Sequence, residues 1–287
     1  MTTARTSHTA TLLPNGYVLV AGGYTSAGGR RSAELFNPAT RTFAATGSME
    51  VERFQHTATL LTDGKVLVAG GGNATAELFD SATGRFSRTG DMGTSRSFQT
   101  ATLLNNGKVL VAGGSDAEGN PIATAELFNP ATGTFAPINS MTAARFGHTA
   151  TLLHNGKVLV TGGTGVGGKS LATAELFDPI SETFTATAQM TIPRYAHTAT
   201  LLGNGHVLLT GGFDAGFKTQ ASAELFDPAT RSFSSTGSMS IQRAFHTATL
   251  LANGKVLVTG GSFGPPHSAV SVGRTFQSSH PQLRVDW

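Results

Sequence analysis

The stretch Arg145-Phe-Gly-His-Thr-Ala-Thr-Leu-Leu-His-Asn-Gly-Lys-Val-Leu-Val-Thr-Gly-Gly163 decides the architecture, because the chain writes it six times with few changes. Its His-Thr-Ala-Thr-Leu-Leu core begins at His8, His56, His148, His197 and His246, and Gln99 stands for the histidine in the third copy. Every copy ends on a glycine pair, from Gly22-Gly23 to Gly260-Gly261. Working outward, an Ala-Glu-Leu-Phe block starts at Ala33, Ala76, Ala125, Ala174 and Ala223, and a lone phenylalanine follows at Phe43, Phe86, Phe135, Phe184 and Phe233. The methionines Met1, Met49, Met92, Met141, Met190 and Met239 share one repeat position, each four residues before an arginine, at spacings of 48, 43, 49, 49 and 49. A fixed period in this range marks solenoids, propellers or arrays.

Each unit holds four short apolar runs. The first two flank Asn-Gly or Asp-Gly, as at Asn15-Gly16, Asp63-Gly64 and Asn155-Gly156. That dipeptide predicts a hairpin with a two-residue type I′ turn, where both central residues need positive φ. The third run is Ala-Glu-Leu-Phe. A turn such as Asp227-Pro-Ala-Thr230 leads to the fourth run, around the lone phenylalanine. Val, Leu, Thr and Phe suit a pleated, packed surface, and no stretch sustains a 3.6-residue period. The expectation is an all-β, six-bladed β-propeller of four-stranded antiparallel blades. It forms a single domain over residues 1–287, with blades near 1–48, 49–91, 92–140, 141–189, 190–238 and 239–287. One sheet alone cannot bury both faces, and stacking around an axis lets each cover the next.

The Gly-Gly after Val-Leu-Val, followed by Glu-Leu-Phe-Asp-Pro and a lone aromatic, resembles the kelch repeat, the family that also forms the propeller domain of galactose oxidase; the type here looks bacterial. The resemblance runs from Met1 to about Phe276, with Phe where kelch units often carry Trp or Tyr. The sixth unit is degenerate. Residues 268–272 align with the third run and 274–276 with the fourth, and 282–287 alternate as an added strand would. Each blade is then continuous in sequence, and closure rests on packing of blade one against blade six. Met1 at a unit boundary also fits a fragment of a longer repeat protein.

Composition narrows the function. The formal charge is +3, only 13% of residues are charged, and Arg30-Arg31 is the one basic cluster, which argues against nucleic acid. There is no cysteine, hence no disulfide, thiolate metal site or Cys nucleophile. The chain shows no signal-peptide pattern and no apolar run of membrane-spanning length. Its richness in Thr, Ser, Gly and Ala with few Lys is similar to extracellular bacterial proteins, so an extracellular or periplasmic monomer is expected.

One loop differs between units. From Gly-Gly to the third run there are nine residues in unit one, four in unit two and ten in units three to five. In a four-stranded meander this loop shares an edge with the links between blades. Those links carry Arg5, Arg53, Arg96, Arg145, Arg194 and Arg243. Loops on a rigid scaffold gather binding residues, so this is the expected functional face. The arginine ring has two readings: a recurrent structural residue bonding carbonyls or an acid of a neighbouring blade, or paired donors for an anionic ligand. In eukaryotic kelch propellers, matching arginines near the channel mouth contribute to recognition of acidic peptides, so the resemblance implies the second. Loop candidates are Tyr24, Arg30, Asp116, Glu118, Lys169, Phe213, Asp214 and Phe217. Phe213 and Phe217 read as a contact patch or as a blade cap.

The five histidines read better as structural than as metal ligands, since Gln99 replaces one and an axis spreads them apart. Ser115-Asp-Ala-Glu-Gly-Asn-Pro121 offers oxygen ligands without the ordered spacing of a calcium loop, so a solvated turn is expected. Gly162-Gly-Thr-Gly-Val-Gly-Gly168 lacks the following helix and the Lys spacing of a phosphate loop. No metal or cofactor is expected. The kelch-like family includes a copper oxidase, a sialic-acid mutarotase and iron-dependent specifier proteins. The oxidase cofactor needs a Cys-linked Tyr, and the spacing of the iron group is missing here. The expected function is a non-catalytic scaffold for a protein or glycan ligand, anionic where the arginines serve. The alternative is a sugar-active enzyme of mutarotase or epimerase type at the channel mouth, drawing an acid and a base from Asp116, Glu118, Asp214 and the arginines.

Overall fold

The computed structural model describes residues 1–262. Units one to five each form a four-stranded antiparallel sheet drawn from one continuous segment. Unit four shows the pattern, with strands Thr149–Leu152, Val158–Thr161, Ala174–Asp178 and Thr183–Ala186. Its register pairs Thr149 with Thr161, Val160 with Glu175 and Phe177 with Phe184. Among the described residues unit six supplies one hairpin, Ala244–Leu250 with Val256–Ser262. The alignments proposed for residues 268–276 and 282–287 lie outside the described residues. The one helical element described is a single 3-10 turn, Val166–Gly168.

First strands of consecutive units lie side by side from unit one to unit six, which makes them innermost. The second strands explain why Val-Leu-Val is apolar throughout. Val66 and Val68 of unit two face unit one, joining Leu13, Leu19, Ala21, Ala33 and Met49 in one buried cluster. The intervening Leu67 and Ala69 face unit three, with Met92, Val109, Val111 and Phe128. Side chains alternate across a strand, so each strand feeds two inter-unit cores and needs apolar residues at every position.

The hairpin tips differ from the type I′ expectation. In unit one Gly16 donates to the Leu13 carbonyl at 2.9 Å and Leu13 donates to the Tyr17 carbonyl at 2.8 Å, so three residues form the loop. Only the glycine is left-handed, at φ +83. The Asn15 side chain accepts the Tyr17 N–H at 3.1 Å, which holds Asn15 in a right-handed turn and leaves the positive φ to glycine.

The glycine pairs sit where units meet. A Cβ on Gly22 would lie 2.5 Å from the Arg53 carbonyl, 2.7 Å from the His56 ring and 3.2 Å from the Met49 methyl, all of unit two. The second glycine, Gly23, donates its N–H to that same carbonyl at 2.8 Å. Met, Arg and His of one unit thus close over the glycine pair of the unit before it.

Candidate functional site

The links and the variable loops do share one edge. Backbone bridges join Thr6 to Tyr24, Ser97 to Ser115, Phe146 to Thr164 and Tyr195 to Phe213, each linking the residue after the arginine, or its neighbour in register, to the first loop residue.

The arginines do not line that edge. Arg53, Arg96, Arg145 and Arg194 are fully buried and Arg5 nearly so. Arg145 Nη2 meets Glu175 Oε1 at 2.8 Å, while Nη1 donates to the Gly162 and Thr173 carbonyls at 2.7 and 3.1 Å. The same pairing joins Arg5 to Glu34 at 2.7 Å, Arg53 to Glu77 at 3.0 Å, Arg96 to Glu126 at 2.8 Å and Arg194 to Glu224 at 3.1 Å. The acid belongs to the arginine's own unit, not to a neighbour. Its other oxygen accepts a link N–H, as from Thr142 to Glu175 at 2.8 Å. Burial pulls the guanidinium pKa of Arg53, Arg96, Arg145 and Arg194 down and the glutamates hold it up. With donors consumed inside the blade, these five arginines offer nothing to a ligand; they strap the link to the third strand. Arg243 is half-buried, donates to the Gly260 carbonyl at 2.6 Å and has no carboxylate partner among the described residues.

The histidines are buried between units. His56 Nε2 meets Thr9 Oγ1 of unit one at 3.0 Å, and His148, His197 and His246 repeat this with Thr100, Thr149 and Thr198 at 3.0, 3.2 and 3.1 Å. Burial lowers their pKa to about 3 for His56, His148 and His197 and to about 4 for His246. Gln99 makes the equivalent link through a carbonyl, Ala69, at 2.8 Å. Among the described residues no three His, Asp or Glu side chains converge on a point that could hold a metal.

What reaches the channel mouth is a second residue set. Two positions after each arginine, Ser7, Gln55, Phe98, Gly147, Ala196 and Phe245 all adopt φ between +53 and +62. Each donates its N–H to the carbonyl of its counterpart in the preceding unit: Gln55 to Ser7, Phe98 to Gln55, Gly147 to Phe98, Ala196 to Gly147 and Phe245 to Ala196, at 3.0 to 3.2 Å. This ladder around the axis imposes the left-handed backbone. A bulky residue there costs about 1–2 kcal/mol relative to glycine. The chain nonetheless puts phenylalanine in units three and six, three interfaces apart. Phe98 contacts Phe146 at 5.8 Å, and Phe245 contacts Phe213 at 5.9 Å. Phe213 stacks on Tyr195 at 5.0 Å, and Phe217 meets Tyr195 edge-on at 6.2 Å. Phe245 and Phe217 remain 51% and 44% exposed. Burial pushes the Tyr195 hydroxyl pKa up to about 12, so it stays a neutral donor.

The remaining loop candidates divide. Tyr24 packs edge-on against Phe54 at 5.1 Å in a short hairpin, Tyr24–Thr25 with Gly28–Gly29. Phe213 is buried and caps its blade, whereas Phe217, at φ +59, stands out from it. Asp116 is spent on its own turn, accepting Asn120 N–H at 2.7 Å and Asn120 Nδ2 at 3.2 Å. Asp214 likewise holds Gly216 N, Lys218 N and Gln220 Nε2 at 2.7 to 2.9 Å. Glu118 and Lys169 are exposed, and Arg30 is half-buried. Phe98, Phe146, Tyr195 and Phe245 were not among the sequence candidates. Their signal was present: the two positions between the repeated Arg and His change from unit to unit while both neighbours stay fixed.

Comparison with known proteins agrees with this geometry. The kelch motif matches residues 98–142 and 145–191, two consecutive units. The chain is similar in structure to a fungal alcohol oxidase of the AA5 family solved in complex with copper, with TM-score 0.59 and 20% identity over 91% of this chain and 71% of that one. No curated protein matches the chain. The protein is a kelch-repeat β-propeller: repeat, sheet order and fold likeness all define that class.

Proposed function

We propose that this propeller is a non-catalytic recognition scaffold that binds a protein or glycan ligand at the channel mouth, on the edge shared by the links and the variable loops. The observation that carries the reading is Phe98 and Phe245 held in left-handed backbone on two sides of the axis, a conformation that favours glycine. Strain kept at a surface site points to use of the side chain. Rigid aromatic faces bind apolar side chains and sugar faces at low entropic cost. With Phe146, Tyr195 and Phe217 beside them, they offer stacking surface and one neutral hydroxyl. The buried arginine–glutamate pairs argue against an anionic ligand held by the arginine ring.

The test uses Phe98→Gly and Phe245→Gly, singly and together, against a glycan array and a peptide panel. Glycine relieves strain, so the melting temperature should hold or rise, while affinity for any ligand of the natural chain falls about tenfold or more, the range expected for loss of an aromatic anchor. Full binding by the folded double variant would refute the reading. Turnover of a sugar by the natural chain would move it to the enzyme class.

A further inference from the structure

Each inter-unit interface is built from the same parts, and two unused halves of one such interface stand at opposite ends of the described chain. The trailing half belongs to unit six. A Cβ on Gly113, Gly162 or Gly211 would meet the methionine methyl of the following unit at 2.9 to 3.2 Å, whereas no described atom lies within 4 Å of the same point on Gly260. Thr247 and Thr259 share a hydrogen bond at 2.9 Å on an exposed surface. The matching hydroxyl pairs, Thr149 with Thr161 and Thr198 with Thr210, each receive a histidine of the next unit, His197 and His246. Leu251 and Leu257 are 38% and 50% exposed, while their counterparts Leu13 and Leu19 are 2% and 1% exposed.

The leading half belongs to unit one. Met1 is 48% exposed where Met49, Met92, Met141 and Met190 are buried. No hydroxyl of another described unit meets the His8 ring, although its four counterparts all have one. Leu12 is 64% exposed, and Phe36 is half-buried where Phe79, Phe128, Phe177 and Phe226 are fully covered.

We infer that the leading face of unit one docks on the trailing face of unit six of a second copy. Every copy carries both halves, so a second copy is a partner whose chemistry is already known to fit. The two halves of one chain are not seated on each other among the described residues. Met1 would close over Gly260, and His8 would meet the Thr247–Thr259 pair. The contact joins different surfaces, so it is heterologous and propagates beyond a dimer unless rotation closes a ring. At 600 Å² or more of mostly apolar cover such contacts are weak and concentration-dependent.

The absence of natural cysteine makes the test clean. His8→Cys and Thr247→Cys are made as separate variants and as one double variant, all treated with a short bis-maleimide. Mixing the two single variants allows the 8-to-247 link only between chains, so a cross-linked dimer absent from either variant alone is expected. Sedimentation of the natural chain should shift to larger species with concentration, and Leu257→Glu, on an exposed position, should abolish the shift without changing the circular dichroism. An intrachain link in the double variant with no dimer in the mixture would mean that the chain closes on itself, and the inference fails. No link in any sample would also overturn it.

Discussion

A single glycine separates two very different demands in this fold. Gly162 has φ +63, and a Cβ there would run into the Arg194 carbonyl and lie 2.8 Å from the His197 ring. Gly156, at a hairpin tip with φ +81, would bring a Cβ no closer than 3.3 Å, to a side-chain amide. Both positions penalise an L side chain by about 1 kcal/mol through backbone strain. Only Gly162→Ala also wedges two units apart, and several further kcal/mol are expected from overpacking. Thermal unfolding should show a small drop for Gly156→Ala and a drop at least twice as large for Gly162→Ala. Equal drops would mean that the inter-unit contact is softer than the geometry implies.

Within one blade the arginine–glutamate strap ties the link to the third strand. Removing one partner leaves a buried charge alone, which costs about 3–5 kcal/mol. Arg145→Ala should therefore lower the urea midpoint strongly while Lys169→Ala, at an exposed loop position, leaves it unchanged. Near-equal stability of Arg145→Ala would show that water enters the pair. The strap also explains a misreading. A ring of arginines on variable-edge links reads as a ligand site when burial is unknown. The glutamate of Ala-Glu-Leu-Phe lay in the same repeat, but pairing it with the arginine needs the fold of the unit: the two stand 30 residues apart in unit four.

Across the whole molecule the histidines couple neighbouring units and make the assembly sensitive to acid. Their folded pKa values, about 3 to 4, lie below the ordinary value of 6.5, so the folded state resists protonation. Above about pH 6.5 neither state is protonated and stability is full. As pH falls from there toward 4, the unfolded chain takes up protons that the folded one does not, and each histidine can remove about 1 kcal/mol per pH unit. The melting temperature should fall steadily from pH 6.5 to 4.5. His148→Gln with His197→Gln should flatten that fall, because Gln99 already fills the position with a neutral link. An unchanged slope would assign the acid sensitivity elsewhere.

The amino-acid sequence by itself determined the number and length of the units, the four-strand meander, the shared edge of links and loops, and the absence of long helices. These follow from short-range physics: period-two apolar runs, turn residues at fixed offsets, and a repeat that must stack to bury its faces. Tertiary structure alone decided which repeated residues are spent inside the blade and which reach solvent. It buried five arginines against glutamates, turned the histidines toward threonines of the unit before, and brought Phe98 and Phe245 to the mouth through the ladder of backbone bonds. The reason is physical: exposure and charge pairing depend on contacts between residues tens of positions apart, and a repeated letter carries no record of whether its partner is protein or water.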